Sequence, residues 1–417
     1  MLNNYICALD IGSTKTAAAL ASLKRNRIEK IFFETMPSRG IKEGSIIDSI
    51  DVVNLISSLM RNLKAKSGIN VKFLYVNIPG QDIVAKHSHA VIPLAEKGNK
   101  VITVSDIERV NEQARVLGSS LEEEIIHLIP SGYSIDSKTN LTNPLGLYSH
   151  RLEVDLYLVC AKLPHIQSLA RVINQSGYEI KELFFSGLAT SMAVFNKELN
   201  EGTNLFCDIG ANTTQLLVFR NGILKSIDVL PVGGEQLTSK LADALKIPFD
   251  LAEDIKRSYG MIADPEQVGK DKEILVKKNN LYSPIKQRLV LEVINGGAKL
   301  ICSRIKDAVQ DKVSAHEINN FLVAGQSVLL EGFIETLEST LGSAVKLGRI
   351  SNPDILDAIK EDGSVSAQKY LTYLTPLGMV CEAMQDKKTG AEVIYKPTKN
   401  PLLRAVQRFK EVYQEYF

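Results

Sequence analysis

The stretch Ala8-Leu9-Asp10-Ile11-Gly12-Ser13-Thr14-Lys15-Thr16-Ala17 near the start of the chain is echoed in its middle by Phe206-Cys207-Asp208-Ile209-Gly210-Ala211-Asn212-Thr213-Thr214-Gln215. Each copy runs from an apolar segment through Asp-Ile-Gly and small or polar residues into a second apolar segment, Ala17–Ala21 or Leu216–Phe219. That pattern predicts strand, tight turn, strand. Gly12 and Gly210 are expected to supply the positive φ of a hairpin turn. A turn of this kind offers clustered backbone N–H groups and hydroxyls, a chemistry suited to phosphate oxygens. Asp10 and Asp208, ending the first strand of each pair, are suited to a hydrated Mg²⁺, which takes few carboxylates and keeps its waters. A single Asp-x-Gly is ordinary turn chemistry. Two matched copies, each between apolar strands, favour one polyphosphate held by Gly12, Ser13, Thr14 and Lys15 together with Gly210, Ala211, Asn212 and Thr213.

The rest of the composition narrows the function. The 417 residues suggest two or three domains, and a hydrophobic fraction of 45% with 23% charged residues suits a folded chain. A net charge of +1 and the absence of Trp argue against a nucleic-acid binder. The five Cys at 7, 160, 207, 302 and 381 form no CxxC pair, so neither a disulfide framework nor a zinc site is expected. His87-x-His89 would place two rings on one strand face with no third ligand near, as on a half-exposed strand. No secretory leader and no run of 18 apolar residues is read, so no membrane-spanning helix is expected.

A third element follows the second hairpin. Pro231-Val232-Gly233-Gly234 precedes apolar residues at helical spacing, Leu237, Leu241, Ala244 and Leu245. Ala252–Gly260 then reads as a helix that Gly260 ends. Glu253, Lys256 and Arg257 share one face of it, which suits either an adenosine or plain solvent.

With these residues on the page, the duplicated Asp-Ile-Gly hairpins, the Pro-Val-Gly-Gly loop and the Ala-Glu-x-Ile-Lys helix resemble the actin-like ATPase superfamily. Within it the chain resembles the FtsA family of bacterial cell-division proteins. Asn77–Ile83, Asn143–Leu147 with Arg151–Val154, and Phe184–Thr190 are similar to further family segments, in order along nearly the whole chain. Pro79 and Asp82 depart from that pattern. The resemblance implies an α/β fold: a duplicated actin-like (ribonuclease H-like) architecture with an FtsA-type 1C insert. The expected parts are subdomain 1A (1–83 and 164–204), insert 1C (84–163), subdomain 2A (205–239 and 289–384) and subdomain 2B (240–288), then a linker (385–400). In the insert, Ser105 is expected to cap a helix. The last segment, 401–417, opens with Pro401 at a helix start. Leu402, Leu403, Val406, Phe409, Tyr413, Tyr416 and Phe417 recur at helical spacing opposite Arg404, Arg408, Lys410, Glu411 and Glu415. That amphipathic pattern resembles the family's membrane-targeting helix.

The resemblance further implies ATP and Mg²⁺ as ligands, with Gly233, Glu253, Lys256, Gly325 and Gln326 toward the adenosine. It implies self-association into filaments and receipt of the FtsZ C-terminal peptide by subdomain 2B. Other division proteins would meet the insert, and the chain would lie on the cytoplasmic face of the inner membrane at the division site. Departures stand beside these expectations. Ala324-Gly325-Gln326-Ser327 keeps one glycine where the family has two or three, and Lys240 replaces an Asp. Asn295-Gly296-Gly297 interrupts the long helix expected near 285–313, costing about 2 kcal/mol of helix propensity against two alanines. No residue reads as the group that would position a hydrolytic water, so rapid turnover is not expected. Two other readings are open: a scaffold similar to PilM of type IV pilus machines, and a sugar-kinase-type enzyme, for which no acidic base or sugar cleft is found.

Overall fold

The computed structural model describes residues 5–389 except 26, 96–97, 137, 196–200, 265, 267–271, 279–280 and 363–368. The chain divides into two compact units. The first holds residues up to 196, Gly222–Ser226 and the chain from Ile350; the second holds the intervening residues, 197–221 and 227–349.

The core of the first unit is a sheet of five strands in the order Glu179–Phe185, Phe73–Ile78, Tyr5–Ile11, Lys15–Lys24, Arg27–Pro37. The first three are mutually parallel, and the two hairpin pairings are antiparallel. The sheet of the second unit repeats this plan. Its order, Val345–Leu347, Ile318–Ala324, Thr203–Ile209, Thr214–Arg220, Ile223–Leu230, has the same two parallel pairings followed by the same antiparallel hairpin. The duplication read from ten residues thus extends over five strands in each unit. Both Asp-Ile-Gly hairpins share one register: Asp10 faces Ala17 and Asp208 faces Gln215.

Helices cover the first sheet for local reasons. Ser49–Ser67 starts where the Asp48 carboxylate accepts the Ile50 and Asp51 N–H groups, and it ends at Gly68 with φ +70°. Between these caps it buries Val52, Leu55, Ile56, Leu59, Met60 and Leu63, a single helical stripe. The helix Leu374–Thr389 packs against Ser186–Val194 and the strand Tyr5–Ile11. Its Leu374, Leu377, Val380 and Cys381 are buried there. Residues from Ile350 therefore belong to the first unit, whereas the sequence boundaries gave 289–384 to the second. The same helix carries the first residues of the expected linker, to Thr389. The remainder of that linker and the segment 401–417 lie outside the described residues. No helix among the described residues is long and apolar enough to cross a membrane.

Between Ile78 and the helix Leu163–Gln175 the chain forms a module with its own core. Four antiparallel strands lie in the order Lys138–Leu141, Glu123–Ile135, Arg151–Lys162, Ile83–Pro93. The helix Val104–Gly118 packs on them through Val110 and Ala114. Its cap is Thr103 rather than Ser105. Thr103 and Asp106 form a reciprocal capping box, which a Ser two residues later cannot close. The Asp106 carboxylate also accepts two bonds from Lys100 Nζ, both 3.0 Å. Burial pushes this carboxyl upward, yet the bonds from Thr103 and Lys100 outweigh it and hold the pKa at about 2. A carboxyl depressed in the folded state stabilises above its unfolded pKa and loses that contribution as pH falls through the folded value. The module is expected to lose stability between roughly pH 4 and pH 2. Asp106→Ala should cost about 1–2 kcal/mol at neutral pH and flatten this acid limb, as thermal melts across pH will show.

In the second unit, Leu241, Ala252, Ile255, Ile274, Val276, Val290 and Ile294 make a small separate core. It joins the helices Gly234–Leu245, Phe249–Tyr259 and the start of Gln287–Gln310 to the strand pair Glu273–Lys278 and Leu281–Lys286. The long helix passes through Gly296-Gly297 without a break. A Cβ at Gly297 would lie 2.4 Å from Leu237 Cδ2, so the glycine lets that leucine pack directly against the helix.

Candidate functional site

Each unit presents one polar turn. In the first, the Gly12 N–H donates to the Lys15 carbonyl at 3.0 Å, and Gly210 donates to Thr213 at 3.0 Å in the second. Neither glycine has a positive φ, contrary to the sequence expectation. Glycine is required because the chain crosses itself closely. An ideal Cβ would stand 2.9 Å from the Lys15 carbonyl oxygen at Gly12 and 3.0 Å from that of Thr213 at Gly210.

What the turns can bind follows from how their carbonyls are held. In the first, Ser38 Oγ donates to the Gly12 carbonyl at 2.7 Å and Ser38 N–H to the Thr14 carbonyl at 3.1 Å. In a trans peptide the next N–H points opposite to the carbonyl. The Ser13 and Lys15 N–H groups are therefore aimed away from Ser38. In the second, the Gly210 carbonyl accepts the Gly234 N–H at 3.0 Å and the Ala211 carbonyl accepts the Glu235 N–H at 2.8 Å. The N–H groups of Ala211 and Asn212 then point away from the start of the helix Gly234–Leu245. Among the described residues, the N–H groups of Ser13, Thr14, Ala211 and Asn212 form no hydrogen bond. Each turn is thus a row of oriented donors of the kind that holds anions.

The side chains are less available than the sequence suggested. Ser13 Oγ accepts the Gly44 N–H at 2.9 Å, and Lys15 Nζ donates to the Thr372 carbonyl at 2.8 Å. Asn212 Nδ2 donates to the Glu235 carboxylate, and its buried Oδ1 has no partner among the described residues. Phosphate chemistry at both turns therefore falls first on the backbone.

The carboxylates differ in their surroundings. Asp10 is 8% exposed, and its Oδ1 accepts from Asn77 Nδ2 at 2.7 Å. Asp208 Oδ1 lies where a Cβ on Gly325 would approach to 3.0 Å, and Gly325 itself takes φ +97°. This positive φ turns the chain out of the strand Ile318–Ala324 into a short helical turn that starts at Gln326. Ser327 Oγ then reaches back to the Gly210 carbonyl at 3.3 Å. Gly233 and Gly234 fit under this loop. A Cβ on Gly233 would sit 2.4 Å from the Ala211 carbonyl oxygen, and one on Gly234 2.4 Å from Ser327 Oγ. Gly210, Gly233 and Gly325 thus come together around Asp208.

Glu253 and Lys256 stand behind that loop and pair with each other at 2.6 Å. Lys256 Nζ donates to the Gly234 carbonyl at 3.1 Å and to Thr238 Oγ1 at 2.8 Å, and Thr238 Oγ1 donates to Glu253 at 2.5 Å. Burial works against the charge on Glu253, but Lys256, Thr238 and Arg257 keep its pKa below the ordinary value. The pair locks Gly234 in place, whichever ligand face it also supplies.

Sequence reasoning missed Asn77, Ser38 and Gln215. Asn77 interrupts the apolar run Phe73–Ile78, and a polar residue in a buried strand is the signal that would have found it. Ser38 lies in a loop with no pattern. Gln215 faces Asp208 across the hairpin, is 6% exposed, and its Oε1 has no partner among the described residues. Within each unit, oriented N–H donors beside a carboxylate suit phosphate oxygens and the water shell of a divalent cation. No group of three or more metal-ligating side chains occurs among the described residues, so such a cation would rely on its waters.

Comparison with known proteins gives a consistent result. Residues 205–372 match the family model "Cell division protein FtsA", and residues 80–160 match "SHS2 domain inserted in FTSA". The chain is 27% identical to the cell division protein FtsA of Borreliella burgdorferi over 84% of this chain and 85% of that protein. It is 24% identical to the Escherichia coli protein of that name over 93% and 94%. Among solved structures it is similar in fold to a PilM-PilN type IV pilus biogenesis complex, with TM-score 0.63 and 14% identity over 91% of this chain and 98% of that one. It also resembles MreB5 of Spiroplasma citri bound to ADP, with TM-score 0.51 and 10% identity over 86% and 96%.

Proposed function

The chain belongs to the FtsA family of cell division proteins, and on that premise we propose that it binds ATP with Mg²⁺, assembles into filaments and tethers FtsZ filaments to the membrane. The observation that carries the nucleotide reading is the pair of turns whose carbonyls are turned back and whose N–H groups are turned out. Gly12, Ser13, Thr14 and Lys15 hold phosphate oxygens, chiefly by backbone, as do Gly210, Ala211, Asn212 and Thr213. Asp10 and Asp208 accept hydrogen bonds from the waters of Mg²⁺, which neutralises phosphate charge when bound. Gly233, Gly325 and Gln326 form the wall toward the adenosine, with Glu253 and Lys256 bracing it.

Nucleotide acts here as a ligand that favours one conformation. Slow hydrolysis is part of this reading, because no residue of the sequence reads as the group that would position a hydrolytic water. The separate small core around Leu241, Ile274 and Val290 is the platform proposed to receive the FtsZ C-terminal peptide. The inserted module is the surface proposed for other division proteins. Residues 401–417 lie on the cytoplasmic face of the inner membrane at the division site; many weak anchors act together in a filament. A pilus-scaffold role rests on fold likeness alone.

Asp208→Ala tests the nucleotide reading. It is expected to weaken ATP about tenfold in Mg²⁺, the scale for removing an outer-sphere partner of a cation, and to have little effect in EDTA. ATP affinity that is unchanged in Mg²⁺ would overturn the reading.

A further inference from the structure

The Asp-Ile-Gly carboxylate of the first unit is held by a buried amide. Asn77 comes one residue after Val76, the parallel-strand partner of Leu9, which brings it beside Asp10, and it is 2% exposed. Asn77 Oδ1 accepts the Ile11 N–H at 2.7 Å, and its Nδ2 donates to Asp10 Oδ1 at 2.7 Å and to Ser186 Oγ at 2.9 Å. Ser186 Oγ in turn donates its one proton to the Ile78 carbonyl at 2.8 Å.

This network leaves the amide one orientation. Ser186 has spent its proton and can only accept from Asn77. The Ile11 N–H can only donate. If the amide were flipped, its oxygen would face the Asp10 carboxylate and the lone pairs of Ser186, while its NH₂ faced another N–H. Every group around Asn77 therefore requires oxygen toward Ile11 and hydrogens toward Asp10. An amide fixed in this way donates to Asp10 and cannot accept from it, which favours the ionised carboxylate and sets its direction.

We propose that Asn77, backed by Ser186, is the positioning residue that fixes Asp10 for the hydrated Mg²⁺. Asp10 is thereby a preset acceptor for metal-bound water. This inference rests on the Mg²⁺–ATP reading given above.

The test is a double-variant cycle in the full chain, read as the ratio of ATP affinity in Mg²⁺ to that in EDTA. Wild type, Asn77→Ala, Asp10→Ala and the double variant are compared. Asn77→Ala is expected to lower the ratio about tenfold, the usual cost of removing a partner that orients a metal-site carboxylate. The double variant is expected to match Asp10→Ala, because Asn77 acts through Asp10. An unchanged ratio in Asn77→Ala, or effects that multiply in the double variant, would overturn the proposal while leaving the nucleotide reading intact. A wild-type ratio near one would overturn that reading and this proposal with it. Should alanine unfold the sheet, Asn77→Ser keeps a polar group in the cavity but is too short to reach Asp10, and the same loss is expected.

Discussion

Gly378→Ala is expected to destabilise the folded chain by about 3 kcal/mol or more, enough to remove much of its stability margin. Alanine ordinarily favours a helix interior over glycine by up to about 1 kcal/mol, so the expected sign is the reverse of the usual one. The reason is the contact between Leu374–Thr389 and Ser186–Val194. An ideal Cβ on Gly378 would lie 1.6 Å from the Ala189 carbonyl oxygen and 3.3 Å from the Ala193 nitrogen. Both are backbone atoms of a helix whose residues are nearly all buried, so no side chain can swing aside. Gly296→Ala in the helix Gln287–Gln310 supplies the control. Nothing lies within 4 Å of its Cβ position, and a gain of about 0.5–1 kcal/mol is expected there. Urea unfolding of the two variants checks both signs. A Gly378→Ala chain as stable as wild type would mean that the two helices do not approach this closely.

Gly233→Ala is expected to weaken ATP about 30-fold or more while leaving far-UV circular dichroism unchanged. The new methyl would collide with the Ala211 carbonyl oxygen at 2.4 Å and that of Gly210 at 2.7 Å. Those two oxygens receive the Gly234 and Glu235 N–H groups, and both bonds must open for the methyl to fit. Two hydrogen bonds at about 1 kcal/mol each correspond to roughly a 30-fold factor. With the carbonyls released, the N–H groups of Ala211 and Asn212 lose their fixed direction, so the loss falls on phosphate affinity. Titration with ADP and with adenosine separates the effects: affinity for the diphosphate should fall by more than affinity for the nucleoside.

The architecture was legible in the sequence to the extent that local pattern determines it. Asp10-Ile11-Gly12 and Asp208-Ile209-Gly210 identified both hairpins, and the two pair with their second strands in the same register. The inserted module was placed at 84–163, close to the matched span 80–160. What the residues could not reveal was long-range space. Gly12 and Gly210 were read as φ residues, but they are needed because backbone meets backbone across the turn. Residues 350–384 were assigned to the second half, but their place in the first unit depends on Gly378 meeting Ala189, more than a hundred residues away in sequence. At the site, Asp10, Asp208, Gly233 and Gly325 were found because glycine and aspartate in turns leave a local signature. Asn77, Ser38 and Gln215 were not, because their significance comes from which strand lies beside them. Lys15 shows what local pattern leaves out: its ammonium donates to the Thr372 carbonyl, a partner far away in sequence.

The inserted module also bears on how the chain reaches its fold. Ser186 Oγ donates to the Ile78 carbonyl across 108 positions of sequence, at the seam where two parallel strands must find each other. Within the module, Ile83 and Ala161 are cross-strand partners. Once its hairpins have closed, the long excursion from Ile78 to Phe185 is reduced to a loop of roughly 30 residues, a saving of about 1 kcal/mol in closure entropy. The module thereby works as a splint during folding: a segment that collapses on local contacts brings together the distant strands of the sheet that carries Asp10.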